Sequence, residues 1–549
     1  MNSFLKKLST YPWLGVVLII LLGAIAYHNC LPNEMFWDDD DFINNNRYIR
    51  DFHDWPLWFS QNLVAGSYLV SNYWRPLLLI IFATAWHLWQ NWVYGWHAMA
   101  VGMHILAAIM LYCWVNRLFA NRLLALMVGL IFVAHPVHNE AVVYVNSMGD
   151  ALATFLVLSS LLLYTRFRQS QKPAWISRSY WGSLLLFPLA LLSKETGFVL
   201  LGLLPLTDFL LLCTSKTFWG RVKQTAAAAW TFMAVGAVYV ALRATVLNFS
   251  NSFNFYNEKN AFTTHITVRL MTFFKAMVQY AGFYFFPHQL RVERYMPWGM
   301  SLLEWDVLAG GILVGLMIFC IFKFWKTKPW VSFGLAWFFI AIAPASNVLV
   351  PINAVIYEHF LYMPMIGITI VLARLSLEWA QKRQTVPSLL KILAVVLVLF
   401  CAVNIQRNLD WRTSIGFYEQ LITYRPDDYR VINNLGMEYA NKNIFDKALK
   451  TYLKAIALDP QNPVAYHNIA GTYRDTGHVD LALENFHKAL ELNPNFIFSY
   501  RSLADLYWRL GDWKDCRENL LQMLRMDPYD QKTREALQFV DEKLRLNPP

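Results

Sequence analysis

The chain has 549 residues, of which 56% are apolar, 16% aromatic and only 15% charged, against roughly 25% charged in ordinary globular chains. That balance excludes a soluble multidomain protein over most of the length, because the apolar residues fall in blocks of roughly 20, enough to cross about 30 Å of hydrocarbon. The net charge of +10 does not point to nucleic acid: the basic residues gather in short loops between apolar blocks, with no basic stripe interleaved with aromatics.

In chain order, Lys6 and Lys7 precede an apolar run from Trp13 to Ala26. Ala24-Ile25-Ala26 has the small residues of a signal-peptidase site, but many apolar blocks follow, so the run reads as an uncleaved first span. Spans are expected near 12–29, 95–116, 122–136, 147–165, 180–193, 197–213, 225–247, 304–323, 331–349, 358–376 and 388–406. Basic clusters mark alternate loops: Arg117 with Arg122; Arg166, Arg168, Lys172 and Arg178; Lys216, Arg221 and Lys223; Lys323, Lys326 and Lys328; Lys382, Arg383 and Lys391. Placing them all in the cytoplasm gives an up-down path of about eleven spans, with the first loop and the C-terminal residues outside. Segments 76–90 and 264–286 do not fit that parity and read as interfacial or re-entrant helices, which protein or a cavity must cover.

The outer loops hold the unusual chemistry. The first contains Asp38, Asp39, Asp40 and Asp41 in succession. Four adjacent carboxylates repel one another, which raises some of their pKa values, and one of them is suited to act as general base on a hydroxyl. A solvated acidic loop is the plainer reading of the run by itself. Arg75, in Asn72-Tyr73-Trp74-Arg75-Pro76, and Lys194, in Ser193-Lys194-Glu195, are outer cations of the kind that bind phosphate. His135, His138 and Glu140 lie at the end of the third expected span, and Glu358-His359 lies between two others. Ionisable groups at membrane depth are costly and tend to line a cavity or pathway. The spacing of His135 and His138 raises a metal site, but Pro136 breaks the helix that would align them, so no metal is expected. The six cysteines are scattered without a CxxC pair, which indicates neither a zinc site nor a disulfide framework.

The last 140 or so residues change character, with high charge and no block long enough to span. Pro426, Pro460, Pro494 and Pro528 recur every 34 residues, the tetratricopeptide period. Three repeats are expected, 429–462, 463–496 and 497–530, closed by a helix near 531–545. Their small and large apolar residues are packing positions. The concave face of such an array suits an extended peptide, and Asn433, Asn434, Asn468 and Arg501, on the first helices, are candidates to line it.

Taken together these segments resemble the transmembrane and tetratricopeptide repeat-containing O-mannosyltransferases, abbreviated TMTC, of the GT-C glycosyltransferase superfamily. The resemblance rests on the Asp pair with downstream Asn46, Tyr73-Trp74-Arg75-Pro76-Leu77, His135-Pro136-Val137-His138-Asn139-Glu140, Leu192-Ser193-Lys194-Glu195, Pro344-Ala345-Ser346-Asn347 and Glu358-His359-Phe360-Leu361-Tyr362, in that order and followed by the repeats. It implies an all-α chain: a GT-C-like transmembrane domain over 1–408, a connecting helix over 409–428 and the repeat solenoid over 429–549. It further implies a polyprenyl-phosphate sugar as donor, a non-cytoplasmic acceptor protein and inversion at the sugar carbon. The catalytic acid of the first loop maps onto Asp39 or Asp38, with Asp39 favoured. Arg75 and Lys194 would hold the lipid phosphate, and Glu195, His135, His138, Glu140, Glu358 and His359 the sugar or the cations around it. Where the family usually has Arg after the late Glu, this chain has His359. The short array suggests a bacterial relative, with undecaprenyl replacing dolichol, a hexose that need not be mannose, and an inner-membrane location with the site and repeats in the periplasm (the endoplasmic reticulum lumen in a eukaryote). A divalent metal is not favoured. Two rivals stand beside this reading: a glycan- or lipid-directed transferase of the same fold, and a non-enzymatic membrane-anchored repeat scaffold.

Overall fold

A backbone without water around it must satisfy its own hydrogen bonds, and apolar blocks do so as helix. The computed structural model describes residues 10–546 apart from 12, 250–258, 288, 289, 293, 353, 527 and 529, and every regular element among them is helical. Lys6 and Lys7 lie outside the described residues. Chain contacts divide the protein into two units, Met1–Arg412 and Thr413–Pro549. Leu409–Trp411 forms a short turn of helix that packs with the first unit, and a separate helix, Ser414–Tyr424, begins the second.

Among the described residues, seven helical segments are long and apolar enough to cross a membrane: Trp13–Cys30, Val93–Phe119, Val145–Ser170, Glu195–Leu212, Phe218–Ala244, Trp305–Phe324 and Val386–Trp411. Arg122–Ala134 and Pro136–Val143 make an eighth if the pair, bent by 50° at its break, is a single span. The protein is therefore an integral membrane protein. The remaining expected spans fall short for definite reasons. Arg178–Ser193 has 16 residues, about 24 Å of helix at 1.5 Å per residue. Pro329–Ala345 is also a shorter apolar helix. Met365–Lys382 carries Arg374, Glu378 and Lys382 towards its end. Segments 76–90 and 264–286 form the helices Pro76–Trp89 and Ile266–Phe285.

Boundaries follow capping chemistry. Asn121 accepts the Leu124 amide at 3.0 Å and starts Arg122–Ala134, satisfying a donor the helix cannot. Pro136 has no amide to donate, and the chain turns there into a short 3-10 segment, Pro136–His138. Small residues set the closest approaches. A Cβ on Gly367 would lie 2.1 Å from the Gly334 carbonyl oxygen, so Pro329–Ile342 and Met365–Lys382 meet backbone to backbone. Trp305–Phe324 turns Leu308, Ile312, Leu316, Phe319 and Phe322 outward, a helical stripe suited to hydrocarbon. The first helix packs against Val93–Phe119, Arg122–Ala134 and Val386–Asn408. That packing brings the first loop beside the end of the last apolar helix.

In the second unit the paired helices are Tyr429–Asn441 with Phe445–Leu458, Pro463–Asp475 with Val479–Leu492, and Ile497–Leu510 with Trp513–Met526, followed by Gln531–Leu546. Gly436 permits the first pair to close: a Cβ there would stand 2.5 Å from the Tyr452 ring. Asp428 and Asn462 cap two of the first helices by accepting the amides of Val431 and Val464, both at 3.1 Å.

Candidate active site

The loop after the first helix is held from inside. Asn46 is buried and its amide group donates to the carbonyls of Phe42 at 3.2 Å and Leu63 at 3.0 Å. Its Oδ1 accepts the Tyr48 amide at 3.2 Å. Residue 66 has to be glycine for this, since a Cβ would sit 1.8 Å from Asn46 Oδ1. Within that frame the four aspartates differ. Asp39 is 2% exposed and its Oδ1 accepts the Asn146 amide at 2.8 Å. Asp38, Asp40 and Asp41 are half-buried, and the Asp38 amide donates to Tyr144 Oη at 3.1 Å. Burial holds the Asp39 carboxyl well above the usual carboxylate range, the Asn146 amide opposing and the Asp38 and Asp40 charges reinforcing it. Burial pushes Asp41 up to about 7, with Asp38 and Asp40 adding to the effect.

The two expected phosphate cations are both paired. Arg75 is buried, and its Nε and Nη2 donate to Glu195 Oε2 at 3.0 and 2.8 Å, with Tyr73 packed 4.5 Å from the guanidinium. Lys194 Nζ donates to Asp150 Oδ2 at 2.7 Å. An incoming phosphate would share each cation with a carboxylate.

A third cluster joins Glu140 and Glu358. Glu140 Oε2 accepts the amides of Glu358 and His359 at 3.1 and 3.2 Å, and its Oε1 meets His359 Nδ1 at 2.8 Å. Glu358 is 1% exposed and accepts from Arg407 Nη2 at 2.9 Å. Burial lifts the Glu358 carboxyl to about 7; Arg407 opposes the rise and Glu140 adds to it. Beside the cluster, Asn139 donates to Asn408 Oδ1 at 2.7 Å, and Asn408 donates to Asn29 Oδ1 at 2.6 Å and to the Ala26 carbonyl at 3.0 Å. The last apolar helix is thereby tied to the end of the first.

His135 and His138 are wholly buried. His135 Nε2 meets the Tyr284 carbonyl at 3.0 Å and its Nδ1 accepts the Val137 amide at 3.2 Å. His138 sits among the rings of Phe132 at 4.5 Å and Tyr362 at 4.6 Å. Among the described residues no group of three or more His, Cys, Asp or Glu is placed to hold a metal ion. In the repeats, Asn468 Nδ2 donates to Asn433 Oδ1 at 3.0 Å across neighbouring first helices. Asn434 Nδ2 lies 3.5 Å from Tyr418 Oη, and Arg501 is exposed.

Comparison with known proteins bears on both units. The model described as TPR repeat matches residues 436–477, and that described as tetratricopeptide repeat matches 463–496. The protein O-mannosyl-transferase F38B6.6 of Caenorhabditis elegans is 24% identical over 461 residues, which cover 81% of this chain and 63% of that one. Protein O-mannosyl-transferase TMTC3 of Homo sapiens is 24% identical, covering 81% of this chain and 52% of its own length. Protein O-mannosyl-transferase TMTC4 of Homo sapiens is 23% identical, covering 80% and 66%. The chain is a distant homologue of the TMTC protein O-mannosyl-transferases. It spans between about half and two thirds of the length of these relatives.

Set beside this homology, the structure adds residues that reading the sequence passed over, Asn146 through its backbone N–H and the others through their side chains. Tyr144 and Asn146 hold the first-loop aspartates, Asp150 takes Lys194, and Arg407 takes Glu358. Arg407 stands just past the stretch expected to span as 388–406, where a lone basic residue reads as an anchor. Asp150 lies in an expected span, and an ionisable residue there is itself a signal of a site.

Proposed function

We propose that the chain transfers a hexose, mannose by analogy with its relatives' names, from a polyprenyl-phosphate carrier to Ser or Thr hydroxyls of a non-cytoplasmic protein held by the repeats. The observation that carries this reading is Asp39, buried beside Asp38 in the loop after the first apolar helix with its carboxyl held above the usual range. A carboxylate of raised basicity suits general-base work.

In the mechanism the acceptor oxygen attacks the anomeric carbon from the face opposite the phosphate, and its proton passes to Asp39. The bond from anomeric carbon to phosphate oxygen breaks, and the electron pair leaves with the lipid phosphate, inverting the carbon. Phosphate is a competent leaving group, so no second acid is required. Arg75 and Lys194 stabilise its charge while Glu195 and Asp150 keep both cations in place. Glu140, Glu358 and His359 form a buried wall towards the sugar, with His135 and His138 behind it. Asn433, Asn434, Asn468 and Arg501 contact the acceptor chain. The site and the repeats face the periplasm, or the endoplasmic reticulum lumen in a eukaryote.

The test compares non-cytoplasmic proteins, by glycoproteomic mass spectrometry, from cells making the intact chain and cells making Asp38→Asn/Asp39→Asn. Ser- or Thr-linked hexose found only with the intact chain is the expected result. Identical glycoproteomes, with both proteins stable in the membrane, would transfer the case to a glycan-directed enzyme or a repeat scaffold.

A further inference from the structure

Both expected phosphate cations already have their charge matched, Arg75 by Glu195 and Lys194 by Asp150. A phosphate that shares each cation with a carboxylate gains from neutral donors that have no partner of their own. One such donor lies two residues before Arg75. Tyr73 is 41% exposed, and its ring lies 4.5 Å from the Arg75 guanidinium. Among the described residues the Tyr73 hydroxyl has no hydrogen-bond partner; Tyr73 is held through its ring and its backbone. Arg75 directs Nε and Nη2 to Glu195, and among the described residues its Nη1 has no partner.

The phenol stands on a fixed backbone. The Tyr73 carbonyl accepts the Leu63 amide at 2.9 Å, and its own amide donates to Ser71 Oγ at 3.4 Å. On one side, Asn72 Oδ1 accepts from Arg243 Nη2 at 2.9 Å. On the other, the buried Trp74 donates its indole N–H to the Phe59 carbonyl at 3.0 Å. An exposed side chain between two anchored neighbours is preorganised for a ligand. The charges of Arg75, Glu195 and Asp38 all bear on the phenol, which places it in one electrostatic site with the cation and the acidic loop.

We infer that Tyr73 is a phosphate-binding residue, whose hydroxyl donates to a non-bridging oxygen of the polyprenyl phosphate beside Arg75 Nη1. This rests on the transferase reading above. A phenol keeps its proton at neutral pH and is therefore a donor there. A hydrogen bond to an ionised acceptor is roughly twice as strong as one between neutral groups. A polyprenol, which lacks the phosphate, offers the hydroxyl no anion. A tyrosine that only anchored the loop at the membrane surface would treat the two lipids alike.

The experiment measures binding of two probes, polyprenyl phosphate and the corresponding polyprenol, to the full chain in lipid nanodiscs. Tyr73→Phe keeps the ring on Arg75 and removes only the hydroxyl. It is expected to weaken polyprenyl phosphate about tenfold, the share of one hydrogen bond to a charged group, and to leave polyprenol unchanged. Its thermal unfolding should match that of the unaltered chain, because no hydrogen bond within the protein is lost. Unchanged affinity for polyprenyl phosphate would overturn the proposal. Equal weakening of both probes, or a fall in melting temperature, would overturn it as well by giving the hydroxyl a structural role. If the unaltered chain binds polyprenyl phosphate no better than polyprenol, the lipid-phosphate reading itself fails and the role of Tyr73 with it, a result read without the variant.

Discussion

At the scale of single residues, partner choice separates side chains that sequence places together. Lys194 and Glu195 are neighbours, yet Lys194 pairs with Asp150 and Glu195 with Arg75. Lys194 has extended backbone, φ −161° and ψ 148°, and consecutive side chains on extended chain point apart. Asp38 and Asp39 divide in a similar way, one half-buried and one buried. Asp39→Asn is expected to lower sugar transfer by about a hundredfold or more, the ordinary share of a general base, in a donor-turnover assay on purified protein. Full activity in Asp39→Asn alongside loss in Asp38→Asn would exchange their roles. Glu358 offers a test on stability. Its carboxyl is lifted from 4.5 to about 7 in the folded chain, so between those values the native state holds a proton that the unfolded state has released. Stability then declines as pH rises from about 4.5 to about 7 and levels off above. Glu358→Gln should flatten that decline in thermal unfolding of the detergent-solubilised protein, and an unchanged slope would show that Glu358 does not titrate there.

At the scale of elements, local pattern made most helices legible. Hydropathy marked the apolar blocks, and the 34-residue recurrence of proline marked the repeats, because both are properties of adjacent residues and need no knowledge of packing. Length and charge decided which blocks qualify as spans, and Arg178–Ser193 and Met365–Lys382 do not. Helix contacts were not legible. In lipid there is no hydrophobic drive between helices, and close approach depends on small residues, yet nothing in sequence says which glycine faces which. Gly334 and Gly367 face each other, whereas Gly315 has open space where a Cβ would go. Gly367→Ala is accordingly expected to cost about 1–3 kcal/mol, the range for overpacking a filled contact. Gly315→Ala should be close to neutral, and equal thermal stabilities for the two variants would contradict the backbone-to-backbone contact.

At the scale of the whole molecule, the place to divide the chain differs from the one composition suggests. Apolar character ends near residue 408, but Trp411 stacks on Tyr144, and the Arg412 carbonyl accepts the Glu34 amide at 3.1 Å. A chain ending at Arg412 should therefore stay folded and still release sugar from polyprenyl-phosphate mannose, while losing transfer to protein acceptors. A chain ending at residue 408 should lose donor turnover too. Complete loss of donor turnover in the longer truncation, with the protein intact in the membrane, would argue for a scaffold that acts only through its repeats.

The amino-acid sequence by itself determined an all-helical membrane protein, a repeat array of fixed period, and an acidic loop after the first apolar run. Each follows from hydropathy, spacing or charge within a short window, where a residue's neighbours are known. Tertiary structure alone decided that Asp39 is buried on the Asn146 amide, that Arg75 and Lys194 are already paired, and that Trp37, Tyr144 and Trp411 share one stack. Those contacts join residues tens to hundreds of positions apart, and their partners are chosen by how helices pack, which no local pattern encodes.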